Sequence, residues 1–324
     1  MTLKKNRLAK KLDIAGKQAR YDAAAKSVLS DKSVLAHILK ECVSEFKEYD
    51  TETIKSKCIE AEVRVSEVAV DDDAQPEDIR GRAVELNSVT EGLLVYDIIF
   101  DVKIPDPKKE KCAIINIEAQ KKYNVGYSIP KRADYYTGRL ISSQKGTIFR
   151  KSDYGKLRKV ISIWIVMEVC DKKKNSITVY DMNERQVCGN FKVSKQNYDM
   201  QTMIMIGLGD HTKTENRLLK ILDILFAKDI SAPEKQKLLE QMGIAMTEET
   251  KEEVNEMCNL GEGIYEQGIE QGIEQGIERG ENKLLAKMIA SGKLTLEEIS
   301  EITGVELNAV KQISEYNSRI KQAV

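Results

Sequence analysis

Residues 95–120 read VYDIIFDVKIPDPKKEKCAIINIEAQ, and this stretch limits the fold more tightly than any other. β-Branched and aromatic residues flank a cluster of Pro, Asp and Lys, the pattern of two strands, Leu94–Ile104 and Cys112–Gln120, joined by a polar turn at Asp106-Pro107-Lys108-Lys109. Folding them antiparallel about the midpoint of Pro107 and Lys108 sets Asp97 directly opposite Glu118. Directly opposed Cβ atoms lie roughly 5 Å apart, close enough for one divalent cation to bridge both side chains. The period of two turns Asn116, Glu118 and Gln120 to one face and Ile115, Ile117 and Ala119 to the other. Two carboxylates so close repel, and burying either unpaired is costly, so a bound cation or one raised pKa is the natural resolution. The plainer alternative is an exposed hairpin with its charges on the wet face.

The residue order, an Asp, a hairpin, then Glu-x-Gln, resembles the PD-(D/E)XK nuclease superfamily in the variant that carries Gln at the terminal Lys position. The words VYDIIFD, IINIEAQKKYNVGYSIPKR and SIWIVME are similar to bacterial PD-(D/E)XK nuclease family transposases, also called recombination-promoting nucleases. YDMQTMIMIGLG, EKQKLLEQMGIAMT and EVNEMCNLGEGI extend the likeness over most of the chain. The resemblance implies an α/β, restriction-endonuclease-like fold, a mixed sheet of the αβββαβ type flanked by helices. It implies Asp97 and Glu118 as ligands of Mg²⁺, or of Mn²⁺ in its place, with Gln120 where the catalytic lysine stands in other members. The implied reaction is attack of water on a DNA phosphodiester, in the service of DNA recombination. It also offers Glu45, by position, as the glutamate that a first core helix lends to the site. Where relatives carry Arg this chain has Ile99, which raises the alternative of a non-catalytic DNA-binding or regulatory oligomer that keeps the fold.

Charge balance bears on that choice. Lys and Arg number 51 against 52 Asp and Glu, a net charge of −1, so DNA contact has to come from local patches. One such patch follows the hairpin: Lys121, Lys122, Arg132 and Arg139 are interleaved with Tyr123, Tyr127, Tyr135 and Tyr136, a mixture suited to phosphate contact and to packing on bases or sugars. Pro130 opens a helix there that runs to about Ser143. Of these, Lys121, Lys122, Arg132, Tyr136 and Arg139 are the candidate DNA-binding residues. Only His37 and His211 occur, which argues against histidine-based catalysis. Six cysteines lie scattered without CxxC spacing and read as free thiols of a cytoplasmic protein. No apolar run reaches the ~20 residues of a membrane span, and the opening MTLKKNRLAKKLDIAGKQAR lacks the apolar centre of a secretory signal.

Taken in order, residues 1–29 read as a basic arm and residues 30–210 as the nuclease-like core. Within that core, Ser30-Asp31-Lys32-Ser33 introduces a helix whose apolar stripe runs from Val34 to Phe46. Ala61–Val70 reads as an edge strand, broken by Asp71-Asp72-Asp73. Val160–Val169 reads as a buried central strand holding Trp164 in the core, with two more strands in ITVYDM and TMIMIGLG. Residues 211–260 form a helical extension, and residues 261–281 a linker helix built on the repeat GIEQ. Glycine in each repeat costs roughly 1 kcal/mol relative to Ala, so self-association is one way to order this helix. Residues 282–324 form a small helical unit with a capping box at Thr295 and Glu298 and a turn at Gly304, the outline of a helix-turn-helix. It serves either as a DNA reader through Asn308, Lys311 and Gln312 or as a site of homo-oligomerisation.

Overall fold

Asp31 caps a helix where the sequence puts it, its carboxylate accepting from the N–H groups of Ser33 at 2.7 Å and Val34 at 3.4 Å. That helix is α2 (Lys32–Cys42), preceded by α1 (Thr2–Ser30) and followed by a single short turn, α3 (Thr51–Thr53). The computed structural model describes residues 2–60, 63–65, 85–88, 92–95, 97–105 and 111–322. The described part of the basic arm, residues 2–29, is therefore helix, and Ala24, Ala25, Val28 and Leu29 bury their side chains in the core. The stripe that begins at Val34 leaves the α-helix at Cys42, and Phe46 reaches the core from a 3₁₀ turn, Ser44–Phe46.

The strands among the described residues are β1 (Arg64–Val65), β2 (Glu85–Ser88), β3 (Gly92–Val95), β4 (Ile98–Ile104), β5 (Lys111–Lys122), β6 (Lys159–Glu168), β7 (Ser176–Asp181) and β8 (Gln201–Gly207). β2 and β3 form a ribbon of their own, and the other six make one sheet in the order β1-β4-β5-β6-β8-β7. β4 runs antiparallel to both β1 and β5, while β5, β6 and β8 run parallel, and β7 closes the far edge antiparallel. Parallel neighbours need a crossover, and α4 (Ile129–Ser142) supplies it between β5 and β6. From α2 through β1, β4, β5, α4 and β6 the main sheet is assembled in the αβββαβ order, and the fold is a mixed α/β sheet between helices.

β4 pairs with β5 from Ile98↔Ile117 to Ile104↔Lys111, the register anticipated from the turn. The turn itself, 106–109, and the acidic run Asp71-Asp72-Asp73 lie outside the described residues, as does most of the strand expected over 61–70. The strand expected over Leu94–Ile104 is divided: β3 ends at Val95, β4 begins at Ile98, and Asp97 sits in a bend between them.

The sheet carries two apolar faces. On one, Ile98, Phe100, Ile115, Ile117, Ile163 and Ile165 join Val28, Leu29, Leu35 and Leu39 of α1 and α2, and also α5 (Arg217–Phe226) through Leu222. On the other, Ile99, Ile114, Val160 and Trp164 join Ile129, Ala133, Tyr136 and Leu140 of α4. Strand periodicity places Asn116 and Glu118 on this second face with Ile114. Two more helices, α6 (Ala232–Gln241) and α7 (Glu248–Ser291), follow, and Leu239, Val254 and Met257 extend the first core. Gly243 after α6 has φ +78°, a conformation that favours glycine.

The chain divides into Met1–Gly261 and Glu262–Val324. In the second unit the end of α7, α8 (Leu296–Thr303) and α9 (Leu307–Gln322) bury Leu285, Ile299 and Val310 together. The Thr295–Glu298 capping box forms, Gly304 takes φ +68°, and Asn308, Lys311 and Gln312 are exposed. The GIEQ repeat is helical within α7, with Ile269 and Ile273 exposed. Among the described residues no helix is long and apolar enough to cross a membrane.

Candidate functional site

The β4–β5 ladder stops at Ile98↔Ile117, and the next pair outward is Asp97 and Glu118. Here backbone and side chain exchange partners. The Asp97 N–H donates to Glu118 Oε1 at 3.3 Å, and the Ala119 N–H donates to Asp97 Oδ2 at 3.0 Å. Each acid thus accepts a backbone N–H at the end of the ladder, which holds both at the same corner of the sheet. Glu118 is only 3% exposed, whereas the Asp97 side chain keeps about a fifth of its surface open at 20%.

A chain of buried donors aims Glu118. Trp164 Nε1–H donates to Ser162 Oγ at 2.9 Å, Ser162 donates to Asn116 Oδ1 at 2.7 Å, and Asn116 Nδ2 donates to Glu118 Oε1 at 2.8 Å. The register makes this geometry unavoidable, because Asn116 pairs with Ser162 and Glu118 with Trp164 across β5 and β6. Leaving a buried polar group unpaired costs about 1–3 kcal/mol, so the series is fixed as a unit. Burial, and after it the charge of Asp97, pushes the Glu118 carboxyl up to about 8, against the hydrogen bonds from Asn116 and the Asp97 N–H.

The other acid meets a cation. Lys26 Nζ of α1 lies 2.9 Å from Asp97 Oδ1 and 2.9 Å from a carboxylate oxygen of Asp22, one turn earlier. Lys26 is buried; desolvation works against its charge, the two carboxylates outweigh it, and its pKa is raised.

On the Glu118 side stands Arg132. Its guanidinium donates to the hydroxyls of Tyr127 at 2.8 Å and Tyr136 at 2.7 Å. Its carbon lies 4.8 Å from the ring centre of Tyr136, 5.3 Å from Trp164 and 5.9 Å from Tyr127. Three rings hold a planar cation whose field reaches Glu118.

The model of one protein family, PD-(D/E)XK nuclease family transposase, matches residues 92–260, just over half of the chain. The chain belongs to this family. No curated protein and no solved structure matches it. Lys26 and Asp22 lie outside the matched residues, while both acids, the buried relay and Arg132 lie within them.

As a PD-(D/E)XK nuclease family transposase, the protein is of a kind that uses a divalent metal, and its donor set fits one. Mg²⁺ is held by one or two carboxylates and completes its shell with waters and phosphate oxygens. Asp97 and Glu118 supply two hard oxygen donors, and a divalent charge offsets the burial and, after it, the repulsion from Asp97 that together raise the Glu118 pKa. Among the described residues no cluster of three His, Cys, Asp or Glu side chains forms.

The remaining candidates scatter. Gln120, on the same face as Glu118, is half-buried. Lys121 and Lys122 are exposed at the end of β5. Tyr136 is buried beneath Arg132, which makes it a wall of the cation's cage and not a surface ring. Arg139 donates to Tyr135 at 2.9 Å, seven residues and roughly 10 Å along α4 from Arg132. Glu45 does not reach the site. It pairs at 3.0 Å with Lys159, which also holds Asp199 at 2.9 Å, and Lys159 opens β6 five residues before Trp164, roughly 16 Å from the acids. Ile99 is buried against Ile129 and Tyr136, where an arginine would have to bury its charge. Lys26, Ser162 and Trp164 had no sequence signal as members of the site.

Proposed function

We propose that this transposase-family protein is a Mg²⁺-dependent DNA endonuclease, with Mn²⁺ able to replace Mg²⁺, that hydrolyses phosphodiesters in DNA recombination. The reading rests on one observation, the interlocked pair of Asp97 and Glu118 at the end of the β4–β5 ladder. Asp97 and Glu118 would hold the ion, which when bound supplies a Lewis acid and an acidified water. The relay through Trp164, Ser162 and Asn116 keeps Glu118 Oε1 in a fixed direction, so little reorganisation is needed when the carboxylate takes up its ligand. Gln120 places an amide beside Glu118; an amide cannot take a proton at neutral pH, so it orients water or phosphate and is not the base. Arg132, stacked and doubly hydrogen-bonded, presents a guanidinium to a phosphate, with Lys121, Lys122 and Arg139 as looser contacts along the DNA backbone. In the overall reaction the oxygen of water bonds to phosphorus as the ester bond to one sugar oxygen breaks.

A second reading is a non-catalytic DNA-binding or regulatory oligomer in the cytoplasm. Two observations favour it: Lys26 already neutralises Asp97, and α7 exposes Ile269 and Ile273 on a helix fit for self-association. Plasmid nicking in Mg²⁺ by the wild type, Asp97→Asn and Glu118→Gln separates the two. Nicking by the wild type alone supports the endonuclease; equal nicking by all three, or DNA binding without nicking, favours the second reading.

A further inference from the structure

Lys26 is a charged group at Asp97 that lies outside the residues matched by the family. It is only 6% exposed, on a helix that buries Ala24, Ala25, Val28 and Leu29 around it. Charged lysines stay buried only where they are paired, and this one is paired with both Asp22 and Asp97. Asp97 offers it Oδ1 while Oδ2 is engaged by the Ala119 N–H, so the oxygens of Asp97 that a metal would use already carry a cation and a donor. Asp22 is a second anchor, on the same helix and 45% exposed.

We infer that Lys26 is a resident counter-cation that competes with the divalent ion for Asp97, and so sets the ion concentration at which the site fills. This rests on Asp97 and Glu118 being the metal ligands. The arrangement provides for the exchange. When a divalent ion draws on Asp97, the ammonium keeps a carboxylate within reach at Asp22 and need not be left buried and unpaired, the state that would make displacement prohibitive. In the metal-free chain the same ammonium cancels part of the repulsion between Asp97 and Glu118. Lys26 is thus a positioning residue, acting through Asp97 and not on substrate.

Two substitutions are expected to act in opposite directions. Lys26→Met removes the competitor and tightens Mn²⁺ binding by about 10-fold or more. Asp22→Asn removes the carboxylate anchor on the same helix, shifts the ammonium toward Asp97, and weakens Mn²⁺ binding several-fold. A purely structural role would weaken binding in both variants or alter neither.

The experiment is calorimetric titration of the full chain with Mn²⁺ above pH 8, alongside Asp97→Asn as a control. Tighter binding in Lys26→Met with weaker binding in Asp22→Asn supports the inference. Binding by Lys26→Met no tighter than wild type overturns it. If Lys26→Met fails to fold, Asp22→Asn, at a half-exposed position, decides alone: unchanged or improved affinity overturns the inference. A wild type that binds no Mn²⁺, or an Asp97→Asn variant that binds as well as wild type, overturns the metal reading itself. Loss of binding in Asp97→Asn beside an unchanged Lys26→Met overturns only the role of Lys26.

Discussion

The backbone N–H of Asp97 donates to Glu118 Oε1, and the backbone N–H next after Glu118, that of Ala119, donates to Asp97 Oδ2, at 3.3 and 3.0 Å. The two acids therefore hold each other's strand, and neither can turn away without releasing a hydrogen bond at the sheet's end. Because they are coupled in this way, substitutions at either acid should behave alike in catalysis. Asp97→Asn and Glu118→Gln each should reduce Mg²⁺-dependent nicking by at least about 100-fold, while circular dichroism reports an intact fold.

The raised Glu118 carboxyl gives a pH dependence with a definite sign. Its pKa goes from 4.5 to about 8 on folding, so the metal-free folded chain holds a proton that the unfolded chain releases in that interval. The stability that this contributes is complete below about pH 4.5 and is lost as pH rises through about 8. Thermal melts of the metal-free protein should fall across that range, and Glu118→Gln should remove this dependence. Metal binding must displace the same proton, so the Mg²⁺ concentration for half-maximal nicking should fall about tenfold per pH unit up to about 8 and then level off.

Ser162 stands in the middle of the relay, donating to Asn116 and accepting from Trp164. Ser162→Ala leaves the indole N–H and the Asn116 carbonyl without their partner, at about 1–3 kcal/mol for each buried group. Denaturant unfolding should register that loss. Nicking should fall by about 10- to 100-fold as Glu118 loses its fixed direction.

Arg132 is planar, stacked and donates to two hydroxyls, so a lysine cannot replace it. Arg132→Lys should weaken binding to short duplex DNA nearly as much as Arg132→Ala, measured by fluorescence anisotropy at fixed salt. Glu45→Gln, at the far end of β6, should leave both binding and nicking unchanged.

How far the sequence carries is visible in single residues. The hairpin register was legible because β-branched runs and a charged turn fix the pairing, and a one-residue slip would have turned Glu118 toward the face of Ile115 and Ile117. β6 was legible as a long apolar run, and α4 from Pro130. Lys26 was not, because an Asp and a Lys four residues apart on a polar helix look like a surface pair; only the packing of Val28 and Leu29 carries the ammonium inward. Trp164 reads as core and is core, yet its indole N–H starts the relay, a role set by parallel pairing across two strands far apart in sequence. Glu45 failed because its acidity and nearness to a helix end carry no information about which end of the sheet it meets. The break at Asp97 went unseen because the apolar pattern runs on through it, while the ladder does not.

The central claim is that Asp97 and Glu118 share one divalent ion. Anomalous scattering from crystals grown with Mn²⁺ above pH 8 tests it most directly. The account predicts a single strong peak within coordinating distance of both carboxylates, with the Lys26 ammonium drawn toward Asp22. Crystals that hold Mn²⁺ only elsewhere, with Lys26 still seated on Asp97, would contradict it.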